Sequence, residues 1–264
     1  MNTNSNTYTV LYTTILVVVV AAVLAFAASA LKSRQQDNKN LEKMKTILLA
    51  ANIGEDENGI PSKSADFKAL YEKHITATYV VDAQGNVLDG VDAFSDVDLK
   101  AQFANIKKGA DVQLPVYECT KDDGSKLSIV ANYGAGLWGA IWGYVAVEGD
   151  YTTVEGAFFD HASETPGLGA KIAEPAFYTQ FRGKKLAAAT NSIEVVKGGA
   201  MGAESGVDAI SGATITSMAV KTTMAMWMAG YKAYFEKCAA KVAAAKAEAE
   251  AAAQNAAVES ENNN

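Results

Sequence analysis

Cysteine is nearly absent: Cys119 and Cys238 are the only two in 264 residues. Two thiols make no disulfide framework, and no CxxC pair is present to hold zinc or an iron–sulfur cluster. Histidine is as scarce, and His74 and His161 are too few and too scattered for a histidine-based metal site. There is no basic surplus either. Lys and Arg total 23 against 30 Asp and Glu, and a net charge of -7 excludes general affinity for nucleic acid. From Thr7 to Leu31 no charged residue occurs at all, and the centre of that run, Thr14 to Phe26, is almost wholly aliphatic. A helix needs roughly 20 such residues to cross the hydrocarbon layer. A cleaved signal peptide would carry a basic n-region, which is missing, and a shorter apolar run. A single-pass membrane anchor is therefore predicted. Lys32, Arg34 and Lys39 follow the span and no charged side chain precedes it, so the positive-inside rule leans toward a cytoplasmic domain. That rule weakens before long domains.

Beyond the anchor the spacing predicts an α+β fold, an antiparallel sheet flanked by helices. A helix is expected around 40–51, with Leu41, Met44, Ile47, Leu48 and Ala51 as its apolar stripe. A loop follows over 52–64, marked by Gly54, Gly59 and Pro61, then a second helix over 64–74. Residues 76–88 have strand character broken by a turn at Gln84-Gly85-Asn86. Strands are expected at 126–133, 140–147, 153–159 and 193–196, and a short helix at 177–181. Residues 217–238 form the strongest helix of this part, with Val220, Met224, Trp227, Met228, Tyr231 and Phe235 at helical spacing. The Ala, Lys and Glu of 239–252 extend it as a solvated helix, and 253–264 is expected to be disordered. The implied division is a tail and transmembrane helix at 1–31, a juxtamembrane helical segment at 32–75, the main domain at 76–238, and a helical extension and tail at 239–264.

One motif misleads. Gly134-Ala135-Gly136-Leu137-Trp138-Gly139 matches G-x-G-x-x-G, and Asp160 lies about 20 residues further on, where a dinucleotide site wants an acid. That mechanism needs the glycines to open a helix. Here they separate two strands, so the dinucleotide reading fails on context. The glycines would let backbone approach a flat ligand, with Leu137 and Trp138 as an apolar wall; taken alone, a tight turn with a core tryptophan is the better reading. No phosphate loop of the G-x-x-x-x-G-K-[ST] type is present.

Immediately before the long helix stands Asp208-Ala209-Ile210-Ser211-Gly212-Ala213-Thr214-Ile215-Thr216-Ser217. Thr216 and Ser217 suit helix capping. The same geometry leaves Thr214 accessible beside small Gly212 and Ala213, with helix amides favouring a phosphate there. Asp208-x-x-Ser211-Gly212-Ala213-Thr214 resembles the flavinylation motif read by a dedicated FMN transferase, its last threonine being the acceptor. Upstream, His161-Ala162-Ser163-Glu164-Thr165-Pro166-Gly167-Leu168-Gly169 is a second signature. Both are similar to the FMN-binding domain of the C subunit of the sodium-translocating NADH:quinone reductase. The segment from Gly134 to Gly139, the N-terminal span, the helix at Leu41 and Gly183-Lys184-Lys185 fit the same family. The likeness reaches to about Cys238; the tail from Ala239 is outside it.

The resemblance implies FMN joined by its phosphate to Thr214. It places Leu137, Trp138, Glu164, Thr165, Gly167, Leu168 and Lys197 around the flavin, beside Ser211, Gly212 and Ala213 of the acceptor motif. Each has a plain structural alternative: Trp138 and Leu168 as core, Glu164 as a cap, Lys197 as a solvated turn lysine. His161 reads as structural or exposed rather than catalytic. No catalytic residue and no metal ligand is expected, since the flavin carries the redox chemistry. The implied role is an electron relay in a membrane complex that oxidises NADH, reduces quinone and translocates sodium. Its partners would be the other subunits, the FMN transferase and membrane lipid. Family likeness puts the chain in a bacterial inner membrane with the flavin on the periplasmic side, against the lean of the flanking charges. The alternatives are the G subunit of an Rnf (ferredoxin:NAD) complex, or a membrane-tethered flavin-binding module without redox turnover.

Overall fold

The alternating segments beyond residue 75 pair into one sheet. Its strands are β1 (Ile75–Val81), β2 (Val87–Leu88), β3 (Leu114–Thr120), β4 (Lys126–Ala135), β5 (Ala140–Glu148), β6 (Thr153–His161) and β7 (Lys184–Lys185). They are ordered β2-β1-β3-β4-β5-β6-β7, and every neighbouring pair is antiparallel. Two short strands, β8 (Glu194–Val196) and β9 (Gly206–Asp208), form a separate parallel pair. The computed structural model describes residues 6–200 and 202–262. Residues 1–5 of the N-terminal tail and 263–264 of the expected disordered tail lie outside them.

Five α-helices complete the described residues: α1 (Asn6–Ala50), α2 (Phe67–His74), α3 (Leu99–Lys108), α4 (Pro175–Tyr178) and α5 (Thr214–Asn262). α2 begins where Asp66 accepts from the amides of Lys68 and Ala69, a side-chain cap of the usual kind. α3 is bounded by Asp98, which caps Lys100 and Ala101, and by Gly109 in the left-handed region at φ 64°. α5 lays its predicted stripe on the sheet, and Val220, Met224, Trp227, Met228, Tyr231 and Phe235 are all buried. Each such side chain contributes about 1.5–3 kcal/mol by leaving water. The Trp227 indole also donates to the carbonyl of Tyr133 at 2.7 Å, which fixes the height of α5 above β4. Gly134 lets the helix come close, because a Cβ there would collide with the side chain of Thr223.

The α+β architecture agrees with the sequence, while several elements differ in extent. The helix expected at 40–51 is the end of a continuous α1, since no residue between 32 and 40 breaks helix. Its stripe is shorter than predicted: Ile47, Leu48 and Ala51 are buried, whereas Leu41 is exposed. Helix α5 starts at Thr214, three residues before the expected boundary, and runs through Asn262, past the break expected at Ala253. Alanine and glutamate are strong helix formers, and that preference extends the helix beyond the packed stripe. Helix α3 and strands β3, β7 and β9 have no counterpart among the elements expected from the sequence.

The chain separates into two compact units, Met1–Lys43 and Met44–Asn264. In the first, α1 is long and apolar enough to cross a membrane, and none of its apolar stretch is buried. In the second, residues 46–50 at the end of α1 are buried in the core.

Candidate functional site

Three backbone segments meet at one cleft. The first is the β4–β5 tip, closed by a hydrogen bond from the Gly136 amide to the Gly139 carbonyl at 2.7 Å. Strand follows strand there, so the G-x-G-x-x-G match is a hairpin turn. The second is the run after β6 from His161 to Gly169, folded on itself by bonds from the Leu168 and Ala170 amides to the Thr165 carbonyl. The third is the turn leading into α5, where the Ala213 amide donates to the Ile210 carbonyl at 3.1 Å. Gly212 occupies the third position of that turn at φ +77°, a conformation that requires glycine there.

The cleft so formed holds about 220 Å³ and is lined by Leu137, Trp138, Glu164, Thr165, Leu168, Gly169, Gly212, Ala213, Thr214, Ile215 and Thr216. Eight of these were singled out from the sequence. Gly169, Ile215 and Thr216 were not in the predicted set, although all three stand within or beside the quoted motifs. Of the remaining predicted residues, Gly167 and Ser211 adjoin lining residues in sequence, and Lys197 is exposed just after β8. None of the three lines the cleft.

The rim is apolar and open to solvent. Leu137, Trp138, Leu168 and Ile215 are 48%, 66%, 44% and 60% exposed, so neither Trp138 nor Leu168 is a core residue. Four large apolar side chains crowded around one opening are the usual mark of a binding surface. Thr214 is half-buried at the first position of α5, with the helix N-terminus behind it. The helix dipole and first-turn amides make that position favourable for a phosphate.

Glu164 is the charged residue of the lining, and it is buried. One carboxylate oxygen accepts from the Trp138 amide at 2.8 Å, and the other from the Thr216 hydroxyl at 2.7 Å. Burial works against its ionisation, yet the Thr216 hydroxyl and the amides of Trp138, Gly139 and Leu137 together hold its carboxyl below the usual range. Gly136 and Gly169 admit this carboxylate, since a Cβ on either would strike it. The glycines thus serve a close approach within the protein. His161 accepts from the Glu164 amide through Nδ1 at 3.3 Å, the structural part expected of it. Neither hydroxyl proposed as a cap accepts from the helix's first turn. Thr216 donates to Glu164, while Ser217 accepts from the Ile210 amide and donates to the Ala213 carbonyl. Asp208 lies away from the cleft; its carboxylate accepts from the Ala200 amide at 2.8 Å and steadies the glycine-rich loop after β8.

Residues 136–229, which contain the whole cleft, match the family described as FMN-binding domain. The C subunit of the Na(+)-translocating NADH-quinone reductase of Pasteurella multocida is 33% identical over 236 residues, covering 83% of this chain and 89% of that protein. Its counterpart from Vibrio vulnificus is 34% identical over 226 residues, covering 80% and 86%. The crystal structure of the counterpart from Parabacteroides distasonis superposes with a TM-score of 0.66 at 35% identity, over 78% of this chain and 96% of that one. NqrC of Shewanella oneidensis gives 0.63 at 28% identity, over 77% and 99%. With this identity sustained over four-fifths of its length, the chain belongs to the family of C subunits of the Na(+)-translocating NADH-quinone reductases.

Proposed function

We propose that the chain carries FMN as a phosphoester on Thr214 and relays electrons between partner subunits of a membrane complex that oxidises NADH, reduces quinone and translocates sodium. The observation that carries this reading is the convergence of two motifs, some fifty residues apart in sequence, on one cleft with a threonine hydroxyl at a helix N-terminus. The residues present fit the group. The first turn of α5 offers amides to a phosphate, and the apolar rim of Leu137, Trp138, Leu168 and Ile215 offers flat contact to a tricyclic ring. FMN supplies transfer of one or two electrons, chemistry that no side chain here provides. The protein's part is to hold the cofactor, orient it and set its electrostatics. Gly167, Ser211 and Ala213 shape the backbone around the acceptor, and Lys197 is included on family likeness.

A hydroxyl does not condense with a phosphate monoester in water, so attachment needs an activated donor. A phosphoanhydride of FMN, delivered by an FMN transferase, meets that need. The bond from Thr214 Oγ1 to phosphorus forms as the anhydride bond breaks, and the hydroxyl proton leaves with the departing phosphate. NADH oxidation belongs to another subunit. The functional division we propose is an anchor up to residue 31, a juxtamembrane stretch to 75, the flavin domain over 76–238 and a tail over 239–264. The anchor would sit in lipid of the bacterial inner membrane, with the flavin domain on its outer side.

The attachment is tested by Thr214→Ala. The half-buried hydroxyl contributes little to packing, so the variant should fold normally and lose all covalent flavin. Intact-mass measurement and in-gel flavin fluorescence after denaturation report this directly. An FMN adduct persisting on the variant would rule out Thr214, and Thr216 would be examined next.

A further inference from the structure

Among the described residues Glu164 carries the one charge in the cleft lining, and the protein holds both of its oxygens. The Trp138 amide holds one and the Thr216 hydroxyl the other, while the backbone of Gly136 and Gly169 presses close on either side. Glu164 is thus a bolt between the β4–β5 tip and the first turn of α5, the two segments that carry Trp138 and Thr214. Its charge remains in the cleft wall all the same. Buried and held by protein donors, it would act on a flavin beside it through a local dielectric below that of water.

We propose that Glu164 is a positioning residue of the flavin site, fixing the tip against α5 and holding the reduction potential of a flavin on Thr214 low through its fixed negative charge. The proposal rests on the flavin reading given above. A flavin gains negative charge on reduction, and an anion that cannot turn away disfavours that state. Thr216 is buried and committed to Glu164, whereas Thr214 is half-buried and makes no such bond.

The test uses the whole chain in its membrane complex, after intact-mass measurement has established the adduct on Thr214. Absence of that adduct from the wild type would overturn the flavin reading and this proposal with it, whereas the titration tests the proposal with the adduct in place. Redox titration followed by flavin absorbance then compares Glu164→Gln with Glu164→Asp. Glu164→Gln removes the charge and should raise the ratio of reduced to oxidised flavin at a fixed potential at least tenfold, about 30 mV for a two-electron couple. Glu164→Asp keeps the charge on a shorter arm. It should leave that ratio within about twofold, a small fraction of the tenfold step, while amides of residues 136–139 exchange faster with solvent. An unmoved ratio in Glu164→Gln, or a shift in Glu164→Asp as large as the tenfold one, would overturn the proposal. If Glu164→Gln does not accumulate, Glu164→Ala takes its place as the charge-free variant, with the same expected tenfold rise and the same overturning result.

Discussion

At the scale of single residues, exposure separates binding groups from packing groups. Trp138 is 66% exposed, so Trp138→Ala should change folding stability by no more than about 0.5 kcal/mol. The same change should weaken packing of a flavin by roughly 1–3 kcal/mol through lost aromatic area. Flavin fluorescence with an added collisional quencher reads the second effect and chemical denaturation the first. A large loss of stability without any change at the flavin would return Trp138 to a structural role. Glu164 behaves in the opposite way. Its folded carboxyl lies below the ordinary 4.5, held there, against burial, by the Thr216 hydroxyl and the tip amides. The stability it contributes is therefore complete above pH 4.5 and is lost as pH falls through the folded value. Acid titration of stability should show wild type losing more below pH 4.5 than Glu164→Gln, which has no proton to take up there. Parallel curves would mean the carboxyl is not held ionised. In the sequence Glu164 is legible as part of a motif, but its partner Thr216 is not, because nothing in the chain order brings residues 52 positions apart together.

At the scale of elements, the strands that read clearly are the long ones whose alternation is backed by hairpin turns. The strands β4, β5 and β6 fall within two residues of expectation because each follows a sharp turn. Strand β3 does not alternate in sequence, since Val116 and Glu118 share a face, and Pro115 argues against a central strand. Helix α3 is short, with only Leu99, Phe103 and Ile106 as large apolar residues, and its Asp98 and Gly109 boundaries were the available signal. Helix α5 was legible by its stripe, and its start was not: the turn at Gly212 sets it, together with the bond from the Ile210 amide to Ser217. Further along, a polar cluster pins α5 to the sheet. The hydroxyls of Tyr79, Tyr234 and Ser128 lie 2.5, 2.8 and 3.0 Å from one oxygen of Glu118. Burial and the neighbouring carboxylate hold both phenols far above their usual range, so they remain donors at any physiological pH. Tyr234→Phe removes one donor and leaves two. It should destabilise the domain by about 1.5–3 kcal/mol, as expected for a bond to a charged group. Thermal or urea unfolding measures it, and no loss would mean that the cluster is satisfied without the helix.

At the scale of the whole molecule, two arguments about the membrane oppose each other. Lys32, Arg34 and Lys39 follow the apolar run of α1, and the segment before it has no charged side chain. Taken alone this would retain the following domain in the cytoplasm. On the proposed reading, the segment from Asp208 to Thr214 is the acceptor for a flavin transferase, which family likeness places outside. The rule counts charges near the span and loses force before a long domain, and here more than 200 residues follow. The net charge of -7 adds no retention, since acidic residues contribute little to orientation. We therefore place the N-terminus in the cytoplasm and Thr214 on the outer side. A single cysteine decides it. Glu250 is exposed on the far part of α5, well beyond the packed stripe. In a Cys238→Ser background, where the remaining Cys119 is buried, Glu250→Cys provides one reactive thiol. A membrane-impermeant maleimide applied to spheroplasts should label it without lysis, to the same extent as after lysis. Labelling confined to broken cells would put the flavin domain inside and require a cytoplasmic transferase.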